Sequence, residues 1–218
     1  MSQSLFQSLL VVIMLLNFYC LGTSRIRALV QAVSLQGGLL GIMPLLVHEH
    51  PGTAPFVLST LTVVLKGVVI PVLLLRALRQ LPIKREVEPL LGLVTSLMLA
   101  AVGTALAVAV GRSLPLVAAA GTQHAHLVVA ASLATVFCGF LLLITRLKAV
   151  TQIVGYLVLE NGVFIFGMLL IEAMPFLVEF GILLDLVVAI FVMGILVNHI
   201  SREFPSDTAE RLSSLRED

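Results

Sequence analysis

The stretch HLVVAASLATVFCGFLLLIT, residues 126–145, runs for twenty residues without an acidic group, a lysine, an arginine or a proline. At 1.5 Å of rise per residue, a helix of that length is about 30 Å long, the thickness of the hydrocarbon core of a bilayer. Cutting the rest of the chain at its charged, proline and polar clusters gives six more apolar runs, at 4–22, 28–47, 56–78, 89–111, 149–173 and 177–200, with the quoted stretch inside a run at 121–145. Lone strands would leave backbone groups unpaired in lipid, and runs of about twenty residues without two-residue alternation do not suit a barrel. The spans are therefore read as helices, and the expected fold is an all-α, polytopic integral membrane protein with about seven transmembrane helices.

Composition supports this. The 218 residues are 59% hydrophobic and 11% charged, against roughly 25% charged in soluble domains, and the mean hydropathy is +1.12. A water-soluble protein is excluded, and seven spans leave no length for a separate soluble domain. The 13 lysines and arginines nearly cancel the 12 aspartates and glutamates, with no block of like charge. Nucleic acid is therefore not an expected partner, whereas the lipid bilayer is. Cys20 and Cys138 lie inside apolar runs without a CxxC spacing, and read as packing residues. The first run lacks the positive flank and small-residue cleavage site of a secretory signal, so it is expected to be retained as span 1.

Cytoplasmic loops retain lysine and arginine. Arg25 and Arg27 follow span 1; Arg76, Arg79, Lys84 and Arg85 follow span 3; Arg146 and Lys148 follow span 5; Arg202, Arg211 and Arg216 follow span 7. Eleven of the thirteen thus fall on one side if the spans alternate. The expected location is the inner (plasma) membrane, with the N-terminus outside and the C-terminus in the cytoplasm. A weak internal repeat accompanies this pattern: SRIRALVQAV (24–33) resembles TRLKAVTQIV (145–154), and Lys66 in span 3 corresponds to Asp185 in span 7. The expected organisation is two parallel three-helix units, 1–88 and 121–203, joined by a linker span and loop at 89–120 and followed by a cytoplasmic tail at 204–218. The linker span carries small residues at Ser96, Ala100 and Thr104 and again at Gly103, Ala107 and Gly111, a pattern for close helix packing.

A charge at the centre of a transmembrane helix costs about 2.5 to 3.5 kcal/mol on insertion scales, so it calls for a partner, a wet cavity or a function. Glu160, Lys66 and Asp185 lie near the middles of spans 6, 3 and 7 at similar depth. Gln152, Tyr156 and Glu160 follow i, i+4, i+8 spacing, which puts a polar track on one face of span 6; Ser59, Thr62 and Lys66 make a similar face on span 3. Two readings stand side by side. Lys66 neutralises a carboxylate in a structural ion pair, or Glu160 and Asp185 relay protons with Lys66, Tyr156 and Gln152 as companions. His124 and His126 open span 5 and are either an outer proton entrance or ordinary helix-end residues. Glu172, Glu179, His48, His50 and His199 read as interfacial or loop groups. GxxxxGK, HExxH and GxSxG are absent, so no catalytic centre, metal or cofactor is expected in this chain.

The segments GYLVLENGVFIFGMLL (155–170) and LVEFGILLDLVVAIFVMGILV (177–197) resemble component E of hydrogenase-4, with ENG at 160–162 and GIxxD at 181–185 as the most specific pieces. The C-terminal unit is also similar to the K subunit of respiratory complex I and the C subunit of multisubunit sodium/proton antiporters, where Glu160 and Asp185 match two intramembrane carboxylates. The N-terminal unit departs from that pattern, with Gln36 near the first position and Lys66 at the second. The resemblance implies a non-catalytic subunit in the membrane arm of a complex-I-related [NiFe] hydrogenase or formate hydrogenlyase-type assembly, coupling redox chemistry elsewhere to proton or sodium movement. Its implied partners are antiporter-like membrane subunits and the hydrogenase module. The rival readings are a self-contained small-solute carrier built as three-one-three helices, and a purely structural scaffold in the same complex.

Overall fold

The computed structural model describes residues 2–47, 53–80, 90–114, 125–147 and 149–169. They form helices α1 (Ser2–Gly22), α2 (Ile26–Val47), α3 (Thr53–Thr62), α4 (Ile70–Gln80), α5 (Leu93–Ser113), α6 (Ala125–Thr145) and α7 (Ala149–Gly167). A π-helical stretch, Val63–Val69, joins α3 to α4, so these three pieces make one continuous third span. No β-strand occurs among the described residues. Among the described residues, five stretches are long and apolar enough to cross a membrane, and α7 adds a shorter apolar run, Thr151–Gly167. The chain is an all-α polytopic membrane protein.

The expected seventh span, with Asp185, lies outside the described residues, as do His48, His50, His124, Glu172, Glu179 and His199. The fourth span begins at Leu93, four residues later than its apolar composition indicates, because Gly92 has extended backbone before the helix and Leu90 donates its N–H to the Thr145 carbonyl at 2.8 Å. Leu15, Val57, Val94, Met98, Leu106 and Ile144 are exposed on the perimeter, as lipid-facing residues should be.

Inside the bundle, burial divides into layers. One apolar cluster contains Leu29, Val30, Val33, Ile70, Leu74, Cys20, Cys138, Val154 and Leu157. A second contains Phe6, Leu10, Ile13, Leu40, Met43, Val128 and Ile165. Along the four helices that contribute to both, the clusters lie on opposite sides of a buried polar residue: Asn17 on α1, Gln36 on α2, Thr135 on α6, and Glu160 with Asn161 on α7; Lys66 of the third span, whose Ile70 and Leu74 join the first cluster, is buried with them. The bundle is thus two aliphatic slabs enclosing a thin polar layer. Both cysteines are free and buried in the first slab.

Glycine sets how closely the helices approach. A Cβ on Gly139 would stand 2.4 Å from the Leu159 nitrogen, one on Gly155 2.8 Å from the Leu143 nitrogen, and one on Gly162 2.6 Å from the Val136 nitrogen. Backbone therefore meets backbone along the α6–α7 seam, as in small-residue membrane interfaces. The fourth span, α5, turns Ser96, Ala100, Gly103, Ala107 and Gly111 inward as one face, against which Phe137 and Ala130 of α6 pack.

The wide turn in the third span has a local cause. Pro71 has no N–H, so the Gly67 carbonyl four residues earlier lacks its ordinary helical donor. Ser34 Oγ donates to that carbonyl at 2.6 Å from the neighbouring α2. The Ile70 N–H reaches back to the Leu65 carbonyl, the longer loop of a π-turn. Gly37 lets the bulged segment approach, since a Cβ there would meet the Lys66 Cβ at 2.7 Å. Ser59 adds a second tie, its hydroxyl donating to the Gly41 carbonyl.

Candidate functional site

Lys66 sits inside the π-turn, where the widened backbone directs its side chain between α2 and α7. Its Nζ lies 2.8 Å from Glu160 Oε1, with both side chains about 95% buried. The approach is that of an ion pair and not of a well-angled hydrogen bond, and neither Glu160 oxygen accepts a hydrogen bond among the described residues. The Phe164 ring, one helical turn beyond Glu160, lies with its centroid 5.3 Å from the ammonium, within cation–π range.

The ammonium also donates to Asn161 Oδ1 at 3.4 Å. Asn161 Nδ2 donates to Gln36 Oε1 at 3.4 Å, and Gln36 Nε2 to Asn17 Oδ1 at 3.0 Å. Asn17 Nδ2 then donates to Thr135 Oγ1 at 2.8 Å, and the Thr135 hydroxyl to the Ala131 carbonyl at 2.6 Å. One string of hydrogen bonds therefore crosses the bundle through the third span, α7, α2, α1 and α6, and gives each buried amide a partner for both its oxygen and its nitrogen. On another side of Lys66 and Asn161 is a small cavity walled by aliphatic side chains, among them Val33, Ile70, Leu74, Val154 and Leu157. These residues lie toward the helix ends that carry Arg25, Arg27, Arg76 and Arg146.

Of the residues singled out from the sequence, Lys66 and Glu160 are brought together. Tyr156 is half-buried one turn from Glu160 and packs against the first aliphatic slab. Gln152 lies in the first turn of α7 and donates from Nε2 to the Arg146 carbonyl at 3.1 Å, so its polar group is used there. No hydrogen bond links Gln152 to Tyr156, or Tyr156 to Glu160, among the described residues; the track is a shared face without a wire. His126 is half-buried, with Nδ1 2.6 Å from the Gly111 carbonyl, and this ties the start of α6 to the end of α5.

Asn17, Thr135 and Asn161 belong to the layer although the sequence had not marked them for chemistry, and Gln36 had been noted only as a departure from a pattern. The signal available was a single amide or hydroxyl amid aliphatic residues on spans 1, 5 and 6. Arg146, expected in a loop, is 1% exposed and donates from Nη2 to the Leu21 carbonyl in the last turn of α1 at 2.9 Å. A cation there meets the negative end of the helix dipole. Burial lowers the pKa of its guanidinium below the ordinary arginine value.

The fold and this layer define a multi-pass membrane protein with a charged pair held between two aliphatic slabs. The chain is 31% identical, over 88% of its length and 87% of the relative's, to a Mycobacterium tuberculosis protein named uncharacterized protein Rv0085. It belongs to the same family as that protein. It is also similar to hydrogenase-4 component E of Escherichia coli K12 and of Shigella flexneri, at 29% identity over 69% of this chain and 68% of each relative. No family model matches the chain. No solved structure matches it.

Proposed function

We propose that this chain is a non-catalytic membrane-arm subunit of a complex-I-related hydrogenase or formate hydrogenlyase-type assembly, in which the Lys66–Glu160 pair takes part in proton or sodium translocation coupled to redox chemistry in another subunit. The observation that carries the reading is the buried pair itself, with Glu160 Oε2 without a hydrogen bond among the described residues. A carboxylate is a group that can exchange a proton, and an ammonium beside it supplies a counter-charge within the membrane, which is the pairing a charge relay needs. Similarity to hydrogenase-4 component E supports placing the pair in such an assembly, beside antiporter-like subunits and a hydrogenase module. Asp185 would continue the row of charges, and the aliphatic cavity would admit water to Lys66.

The test neutralises both charges at once, so that neither is left alone. Lys66→Met combined with Glu160→Gln is expected to leave the complex assembled and active with artificial electron donors. Proton uptake by inverted vesicles under hydrogen or formate should fall at least about tenfold per electron, since neither the thioether nor the amide so introduced can hold a proton. An assembled double variant with the parent's protons per electron would end the relay reading and leave the pair as structure.

Orientation has its own test. If the arginine-bearing ends face the cytoplasm, a cysteine at Gly52, between spans 2 and 3, should react with an impermeant thiol reagent added outside, and a C-terminal phosphatase fusion should be inactive. Reaction at residue 52 only after permeabilisation would reverse the assignment.

A further inference from the structure

Every hydrogen bond in the string that leaves Lys66 points the same way. Lys66 donates to Asn161, Asn161 to Gln36, Gln36 to Asn17, Asn17 to Thr135, and Thr135 to the Ala131 carbonyl. Each of the three amides thus turns its oxygen toward Lys66 and its N–H away. Aligned in this sense the dipoles reinforce one another, and hydrogen bonds in such chains strengthen cooperatively. The negative end of the whole row meets the ammonium group.

A row of that kind is poor at moving protons. At physiological pH an amide nitrogen does not give up a proton and an amide oxygen does not keep one, so passing a proton would require each amide to tautomerise and then turn over. All three are buried and held at both ends, each between helices other than its own. The far end is closed too, because the Thr135 hydroxyl spends its only proton on a backbone carbonyl of its own helix. The cavity side differs: among the described residues its walls beyond Lys66 and Asn161 are aliphatic side chains, with no polar group that would compete for a proton.

We propose that Asn161, Gln36, Asn17 and Thr135 form a non-conducting arm that holds the Lys66 side chain in place, and that the first two helices take part in charge movement only by supplying this arm. This rests on the relay reading for its transport half; the electrostatic half stands without it. These are positioning residues, which act through Lys66.

Two measurements separate the possibilities. Thr135→Val removes the last donor and acceptor with little change of shape, and leaves the Asn17 amide without its acceptor. Proton uptake per electron in assembled Thr135→Val complexes should stay within about twofold of the parent, since no proton is routed there. A fall as deep as that of the double neutral variant would show that the arm conducts, and would overturn the proposal. The second measurement is thermal. Thr135→Val should lower the melting temperature of the purified protein by about 2 to 4 °C, and by less than half as much in the Lys66→Met, Glu160→Gln background, where no cation remains for the arm to serve. Equal shifts in both backgrounds would show that the arm does not support Lys66. Thr135→Ser, which keeps the hydroxyl, should restore the parent's melting temperature in place of the valine. If the double neutral variant still moves protons, the relay reading fails by itself while the thermal comparison continues to decide the electrostatic half.

Discussion

Lys66→Ala is expected to cut the yield of folded chain recovered from membranes by at least about tenfold, because removing one member of a buried ion pair costs about 3 to 5 kcal/mol. That is a large share of a total stability of roughly 5 to 15 kcal/mol. Glu160 is 5% exposed, and its oxygens have no hydrogen bond among the described residues, so the ammonium 2.8 Å away is its compensation there. The same substitution takes the donor from Asn161 and removes the cation toward which three amide dipoles are turned. Glu160→Gln alone should also destabilise, since Lys66 then keeps its charge without a counter-charge from α7. The two changes together, with methionine at 66 filling the volume of the lysine stem, should recover most of the yield, because a neutral pair of similar shape carries no charge to bury. The amount and melting temperature of detergent-extracted, tagged protein read all three variants against the parent. Parental values for Lys66→Ala would mean that the pair is not formed in the membrane.

How far this layer could be read in advance varied with the kind of residue. Lys66 and Glu160 stood out because an ionised group in an apolar run is costly to insert, and their distances from the ends of their runs put them at one depth. Asn17, Gln36 and Thr135 did not stand out, since a neutral polar residue inserts at little cost and its partner depends on which helices are neighbours. The string joins residues 118 apart, as in Asn17 to Thr135, and 125 apart, as in Asn161 to Gln36. No local spacing rule predicts such pairs. The π-turn did have a local signal in Pro71, but whether the freed carbonyl bulges or kinks the helix was decided by Ser34 and Gly37 on another span. Arg146 shows the same limit. A cation just past a span reads as a loop residue by the positive-inside pattern, and its burial follows from the end of α1 lying within reach of its guanidinium.

Gly139→Ala is expected to destabilise the bundle more than any other single methyl addition to the described helices. Its Cβ would be placed 2.4 Å from the nitrogen and 2.6 Å from the Cα of Leu159. Those are backbone atoms in the interior of α7, so no rotamer change relieves the overlap and the two helices must move apart. Insertion into a well-packed core costs about 1 to 3 kcal/mol, and a backbone-to-backbone overlap belongs at the upper end, a fall of roughly 6 to 12 °C in melting temperature. The consequence reaches the charged layer because Leu159 directly precedes Glu160 and Asn161. Moving α7 off α6 carries both away from the helices that hold Lys66 and Gln36, lengthening the 2.8 Å pair and the 3.4 Å amide contacts. Gly38→Ala provides the contrast. It is also a helix-interior glycine, yet nothing lies within 4 Å of its added Cβ, and the better helix propensity of alanine should leave stability equal or up to about 1 kcal/mol higher. Gly103→Ala should fall between, because the atoms its Cβ meets, at 2.1 Å, belong to the Phe137 ring, which is exposed at the perimeter and can swing toward lipid. The ranking Gly38→Ala above Gly103→Ala above Gly139→Ala in melting temperature is the result to look for. Gly139→Ala melting with the parent would mean that α6 and α7 do not meet backbone to backbone, and that Glu160 is not held where it faces Lys66.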